Sequence, residues 1–514
     1  MLLERTVSQS VGSTPDEVRG PSRMDLAIRD LGTPLCERYV IAGAQGALLT
    51  NSEHILTAAR NSFRQATAPC ADPDLTLRLW IDATARGQPP WPEAHFRGLA
   101  HLVYAGFDPE NSLLLDLRRR HVIGRFSPAM ACDAGYWLRV IFPTALGLVS
   151  EALGLTALHC ACADWDGKGL LLAGDSGSGK STLALALAQN GFALLSDDWT
   201  YFSRAARELR AWGIVSPVKL LPDAGRYFPE LQRYTPELSL NGERAYEVDP
   251  EAVFGVRRSL RCKPHWLIFL ERQHRSGHRF VRVTPQETVE RLQFDLEDLP
   301  PELAHVRREQ SETILDLAGR ESWTLRHNES PGDLARILTR FCRDSRMASS
   351  SFSDPDHEAH RQPGVHHPLI ESYQSVRTGP DIIRRFVPTP LVTNLRARSY
   401  TTRLETNSPA ILQQVQDSLR LEASAQPSKG QFVWKLIGEA DGRQPSTWPT
   451  VSAFGADGLR LESLDQRNFF AMDSSARIAI GFVATSLVND APAFRKLFLD
   501  RLISATADAA DGST

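Results

Sequence analysis

The chain has 514 residues, 42% of them hydrophobic and 23% charged, with a formal net charge of −3. A single hydrophobic core stops growing at roughly 250–300 residues, so on the order of two to four domains are expected. The near-balanced charge excludes electrostatic attraction to nucleic acid or an acidic membrane as an organising feature, and no apolar run reaches the roughly 20 residues that a membrane-spanning helix needs.

Residues 1–24 lack the apolar segment of a secretory signal and carry Ser8, Ser10, Gly12, Ser13, Pro15, Gly20 and Pro21, which suits a flexible tail. Seven cysteines are scattered at positions 36, 70, 132, 160, 162, 262 and 342. An odd, dispersed set of this kind suits reduced thiols and a cytoplasmic location rather than a disulfide framework.

The chain then repeats itself. Thr50-Asn51-Ser52 returns as Thr406-Asn407-Ser408, 356 positions on. Trp91-Pro92 returns as Trp448-Pro449, Ile123-Gly124 as Ile480-Gly481, and Asp133-Ala134 as Asp490-Ala491, each 357 positions on. Four matches at nearly constant spacing, aligned by one short insertion, point to two copies of a small domain, since the period is far longer than a solenoid repeat. Short alternating or apolar runs predict strands at 75–80, 112–117 and 121–126 in the first copy, set against 432–437, 459–464 and 477–482 in the second. A helical pattern closes each copy, from 135 onward in the first and over 491–503 in the second. The expectation is two α+β domains, 25–146 and 376–505, followed by a small-residue tail at 506–514.

Between the copies, 147–346 alternates strand and helix patterns, which predicts α/β architecture around a partly parallel sheet. The polar stretch within 347–375 is rich in Ser, Pro and His and reads as a linker with solvated histidines.

The densest chemical signal lies in this central block. Gly174-Asp175-Ser176-Gly177-Ser178-Gly179-Lys180-Ser181 fits G-x-x-x-x-G-K-[ST]. The apolar run 170–173 before it predicts a buried strand. Thr182 opens a run of helix formers that closes at Gly191, a suitable C-terminal cap. Glycines let backbone N–H groups turn toward phosphate, and the start of the helix adds positive potential. Lys180 would carry its charge to the β- and γ-phosphates, and Ser181 a hydroxyl to Mg²⁺. Gly174, Asp175, Ser176, Gly177, Ser178, Gly179, Lys180, Ser181 and Thr182 form the expected ATP-binding set.

A second apolar run, 192–195, leads to Asp197-Asp198. A right-handed crossover puts this strand in the same sheet as the first. Carboxylates at its C-terminal end then face the crevice where such sheets bind ligands. One aspartate could hold Mg²⁺ and the other accept a proton from an attacking hydroxyl. His159 stands fifteen residues before Gly174, in Leu158-His159-Cys160-Ala161-Cys162. Three ligands there, with no second cluster at zinc-site spacing, do not make a metal site. Lys219 and Glu271 are weaker candidates, for the acceptor side and the metal side. The basic run Arg118-Arg119-Arg120-His121 reads as a solvated strand edge.

The loop 174–181, the pair Asp197-Asp198 and His159 together resemble the HPr kinase/phosphorylase family, whose P-loop fold is similar to phosphoenolpyruvate carboxykinase. The resemblance is close over 157–201 and looser over the rest of the central block. It implies an α/β P-loop kinase core, with ATP and Mg²⁺ as cofactors, which the sequence repeat flanks with two duplicated α+β domains. It also implies that Asp197 is the proton acceptor and that Asp198 and His159 lie near the phosphates and metal. The catalytic set is then Asp197, Asp198, His159 and Lys180, with Ser181 and Asp198 toward the metal. The family's later Arg-Pro-Gly-Arg-Asn segment has no counterpart, 256–264 being the nearest basic stretch. Phosphorylase activity and HPr itself as substrate are therefore left out of the expectation.

The activity expected is transfer of the ATP γ-phosphate to a hydroxyl, either serine of a protein or peptide or a small-molecule alcohol. The alternative is an ATP-binding regulatory or scaffold module in which turnover is incidental. No L-S-G-G-Q-like or N-K-x-D segment argues for a transporter ATPase or a GTPase. Neither nucleic acid nor a membrane is an expected partner, and a homo-oligomer is compatible with the sequence.

Overall fold

The computed structural model describes residues 32–66, 72–205, 208–239, 242–294, 296, 299–349, 383–397, 400–418, 431–441, 445 and 447–511. The expected tail 1–24, Cys70 and nearly all of the expected linker lie outside them.

The first unit is an eight-stranded sheet. Its strands are β1 (Leu35–Ile41), β2 (Ala44–Thr50), β3 (Arg64–Gln65), β4 (Leu75–Ile81), β5 (His95–Leu99), β6 (Leu102–Asp108), β7 (Asn111–Asp116) and β8 (His121–Phe126). They lie in the order β3-β1-β2-β4-β8-β7-β6-β5. Ala42 and Gly43 both take positive φ and close the β1–β2 hairpin in two residues, the turn whose twist matches paired strands. Helices Glu53–Ser62 and Phe142–Val149 cover one face, with Ile55, Leu56, Trp137 and Phe142 in the shared core.

The last unit has seven strands: β22 (Leu391–Ala397), β23 (Tyr400–Thr406), β24 (Phe432–Glu439), β25 (Ser452–Ala456), β26 (Leu459–Ser463), β27 (Phe469–Asp473) and β28 (Ile478–Ala484). Their order, β22-β23-β24-β28-β27-β26-β25, is that of the first sheet without β3. The repeated sequence pairs have matching structural duties. Asn51 brackets Ile81 with two side-chain hydrogen bonds, and Asn407 brackets Gly438 in the same way. Ser52 and Ser408 each cap the following helix. Trp91 donates to Asp133 at 2.8 Å and Trp448 to Asp490 at 2.9 Å. Gly124 and Gly481 stand where a Cβ would meet side chains at 2.5 Å and 2.8 Å. Each closing helix also contains a π-helical turn at the same place, Trp137–Ile141 and Arg495–Leu499. The register differs from the sequence expectation in one respect. The partner of β6 is β26, and that of β7 is β27, so the run 112–117 does not correspond to 459–464. Helix Asp500–Ala510 also occupies most of the stretch expected to be a tail.

The two sheets stack face to face. Trp80, Leu102, Tyr104 and Ile123 meet Phe454, Leu461, Phe469 and Ile480 in one buried cluster. Tyr104 stacks on Phe469 at 3.9 Å, and Trp80 meets Phe454 edge-on at 5.3 Å. Arg97 forms a forked pair with Glu439 at 2.8 and 2.9 Å. Arg119 pairs with Asp116 of its own sheet, reaches Asp473 of the other at 3.2 Å and donates to the Asp457 carbonyl. Arg119 and His121 therefore contact the other sheet, while Arg118 and Arg120 are exposed, as a solvated edge would have them. His101, Asp116 and Asp473 come together there, buried, with Arg119 neutralising both carboxylates.

The central block holds a ten-stranded mixed sheet. Its strands are β9 (Thr156–Leu158), β10 (Ala161–Trp165), β11 (Lys168–Ala173), β12 (Ala193–Ser196), β13 (Thr200–Ala205) and β14 (Glu208–Trp212), then β18 (Arg257–Arg258), β19 (Arg261–Arg272), β20 (His278–Arg282) and β21 (Glu321–His327). A small separate sheet holds β15 (Val218–Leu220), β16 (Glu237–Leu238) and β17 (Arg244–Val248). Strands β11, β19 and β21 run parallel. β12 shares the sheet with β11 as expected, but β10 lies between them, antiparallel to both. β11 and β12 thus point the same way and end on one edge. Helices Lys180–Gln189 and Pro331–Ser349 pack on one face through Leu183, Leu187, Leu334 and Leu338. Helices Pro285–Gln293 and Val306–Ala318 pack on the other through Val289, Leu292, Ile314 and Leu317. Among the described residues no helix is long and apolar enough to cross a membrane.

Candidate active site

Strand β11 ends at Ala173, and the loop turns through three glycines with positive φ: Gly174 (+136°), Gly177 (+77°) and Gly179 (+98°). Only glycine adopts such angles freely. At Gly174 a Cβ would also stand 2.7 Å from the Leu270 carbonyl oxygen. Helix Lys180–Gln189 begins with Gly179 as its cap and no side chain on its first amides. It closes at Asn190 and Gly191 (φ +100°). The buried Lys180 folds back over the loop, donating from Nζ to the carbonyls of Gly174 (2.7 Å) and Asp175 (3.2 Å). The Ser178 hydroxyl is buried without a hydrogen-bond partner among the described residues, while Asp175 and Ser176 are exposed at the tip. This glycine turn, with an ammonium folded onto it, a buried hydroxyl within it and an uncapped helix start after it, fits phosphate.

Ser181 ties the loop to the aspartate pair: its hydroxyl donates to the Asp197 carbonyl at 3.0 Å. The end of β12 is pinned by Ser196, 2.5 Å from the Thr200 hydroxyl, which donates to the Cys160 carbonyl at 2.7 Å. The adjacent carboxylates face different surroundings. Asp197 is only 7% exposed and accepts a hydrogen bond from the Lys219 amide at 2.8 Å. Burial pushes its carboxyl up to about 7, with the neighbouring Asp198 charge adding to the rise and the Lys219 amide opposing it. Asp198 is exposed and lies 2.9 Å from His159 Nε2; the His159 ring stacks against Trp199 at 5.4 Å. The three residues picked from the sequence around the loop are thus together, with His159 holding Asp198 while Asp197 is fixed separately.

Two cavities open beside these groups. The smaller, about 170 Å³, is lined by Ser178, Gly179 and Thr182 together with Arg272, His327 and Asn328. His327 is 5% exposed, and neither ring nitrogen has a hydrogen-bond partner among the described residues. The Arg272 guanidinium lies 3.5 Å from where a Cβ on Gly179 would be. The larger cavity, about 540 Å³, holds Asp197, Asp198 and Lys219 on one side and helix Phe142–Val149 on the other.

Other sequence candidates have structural duties. The Lys219 ammonium pairs with Glu243 at 2.7 Å, although its amide supports Asp197. Glu271 is held by Arg291 and Arg326 and does not join the aspartates. Cys160 and Cys162 are buried and in no disulfide, with the Cys162 sulfur 3.7 Å from that of Cys262. Arg272 and His327 were not singled out from the sequence. Their one signal was position, each ending an apolar strand parallel to β11.

No family model matches the chain, and no curated protein does. Among solved structures, it is similar to the Hpr(Ser) kinase/phosphatase from Coxiella burnetii, with 14% sequence identity and a TM-score of 0.24, over 40% of this chain and 99% of that one. A score of this size assigns neither fold nor function.

Proposed function

We propose that the protein is an ATP-dependent kinase transferring the γ-phosphoryl group to a hydroxyl, on a P-loop core of the HPr kinase/phosphorylase type, with two flanking α+β copies of common descent. One observation carries this reading. The Ser181 hydroxyl is bonded to the main-chain carbonyl of Asp197, so the glycine loop and a buried carboxylate whose pKa is pushed up to about 7 stand side by side.

ATP enters as substrate, its phosphates along 174–181 and its nucleoside toward Thr182, His327 and Asn328. Lys180 and Arg272 neutralise charge on the phosphates. Ser181 and Asp198 are the residues that would hold Mg²⁺, which when bound supplies charge compensation to the phosphate oxygens. His159 orients Asp198 for that task. Asp197 takes the proton of the attacking hydroxyl, and a pKa close to working pH is what a general base needs. Calorimetric titration with a non-hydrolysable ATP analogue and Mg²⁺ tests the loop. Lys180→Ala should cost at least about tenfold in affinity, and unchanged affinity would remove Lys180 from its role.

A further inference from the structure

Resting on the kinase reading above, we infer that the acceptor is a small, uncharged hydroxyl compound with a mainly apolar body, bound in the larger cavity between the first sheet's closing helix and the central block. It is not a serine on a folded protein.

Several independent features of the cavity lead there. Its volume of about 540 Å³ falls within the roughly 300–1,000 Å³ of small-molecule pockets. Its walls come from several distant stretches of chain, among them Leu148 of the closing helix, Ile214 and Pro217 before β15, and Ile383 and Arg385 before the second sheet. Asp197 lies in it at 7% exposure, a depth that suits a compound able to enter whole. The apolar groups facing the space include Phe96, Leu148, Tyr201, Ile214, Leu296 and Ile383.

The polar groups narrow the class further. Each basic side chain of the lining already has a carboxylate: Arg385 with Glu151 at 3.2 Å, Arg139 with Glu247 at 3.9 Å, and Lys219 with Glu243 at 2.7 Å. A second anionic group on the acceptor would find no unmatched cation among them. Gln310 is 3% exposed and lines the cavity, and among the described residues its Oε1 accepts no hydrogen bond. Buried acceptors of this kind call for a donor, so the compound carries an O–H or N–H besides the reacting hydroxyl.

In the reaction, the acceptor oxygen forms its bond to the γ-phosphorus. The bond from that phosphorus to the β–γ bridging oxygen breaks, and ADP leaves with the electron pair. The hydroxyl proton passes to the Asp197 carboxylate.

Gly147 provides a selective block. It lies in the closing helix at the cavity with ordinary helical backbone, and a Cβ there would meet nothing within 4 Å. Gly147→Trp should therefore fold and fill the space. The full chain and this variant are incubated with Mg²⁺ and γ-labelled ATP, once with the dialysable small-molecule fraction of a cell extract and once with the retained protein fraction. ATP-analogue binding is measured in parallel. Label is expected in a neutral, dialysable alcohol turned phosphomonoester. Gly147→Trp should lower that transfer at least about tenfold with ATP-analogue affinity unchanged, and Gln310→Leu should raise the KM for the purified acceptor about tenfold. Label confined to protein, transfer undiminished in Gly147→Trp, or no transfer from either pool while the nucleotide binds would each overturn the inference. Failure of the wild-type chain to bind the nucleotide would instead remove the kinase reading beneath it.

Discussion

Asp197→Asn separates two consequences of one buried carboxylate. An Asp in water titrates near 3.8, whereas burial moves this one to about 7. The folded state therefore holds the proton more tightly than the unfolded chain does. Stability falls as pH rises between these two values, and the loss is complete above the higher one. At 1.36 kcal/mol for each pH unit between them, the ionised carboxylate costs the native state about 4 kcal/mol above pH 7. Asparagine keeps the shape and can still accept from the Lys219 amide, while carrying no charge. The variant should thus match wild type near pH 4 and become progressively more stable through pH 7. In a domain of this size that gap amounts to roughly 8–16 °C in Tm if the full term is realised. Its kinase rate should fall about 10²–10⁴-fold with nucleotide affinity retained. Melting curves across pH 4–9, set beside initial rates, read both effects. A stability gap that does not change with pH, or a rate equal to wild type, would refute the assignment of Asp197 as a buried base.

Three further outcomes follow from geometry. Gly174→Ala should abolish nucleotide binding in calorimetry, because a positive φ and a carbonyl 2.7 Å away leave no room for a methyl group without moving the loop. His327, whose pKa burial depresses, is neutral at pH 7; His327→Ala should weaken ATP binding about tenfold and leave inorganic triphosphate binding unchanged. Asp473→Ala should cost about 3 kcal/mol in denaturant unfolding, since it removes the carboxylate facing the buried His101 and one of the two that pair with Arg119. Burial raises the Asp473 carboxyl, but bonds from His101 and Ser475 and the Arg119 charge outweigh it and hold the pKa far below the usual range. That stabilisation is accordingly present at neutral pH and lost on acidification below about pH 4.

What the sequence disclosed was what is local in the chain. The strand, glycine loop and helix at 168–189 sit within one stretch, and the residue types force the geometry. The repeated pairs were legible because each performs a local duty twice: an asparagine bracket, a serine cap, a tryptophan–aspartate bond. The wrong match of 112–117 to 459–464 arose because neighbouring antiparallel strands share the same apolar pattern, and only pairing partners distinguish them. Placing β10 between β11 and β12 depends on sheet order, which periodicity does not encode. The unequal surroundings of Asp197 and Asp198 depend on Lys219 and His159, distant in sequence and on opposite sides. Gln310, Arg385 and Gly147 meet at the larger cavity only after three parts of the chain have packed together, so nothing near them in the sequence marks them.

Phosphorus NMR on the full chain with ATP, Mg²⁺ and the dialysable small-molecule fraction tests the central claim most directly. The account predicts ADP appearing in step with a new phosphomonoester resonance, at a rate that rises with pH through about 7. ATP that binds but persists unchanged, or that yields only ADP and inorganic phosphate, would contradict it and leave a nucleotide-binding module in place of a kinase.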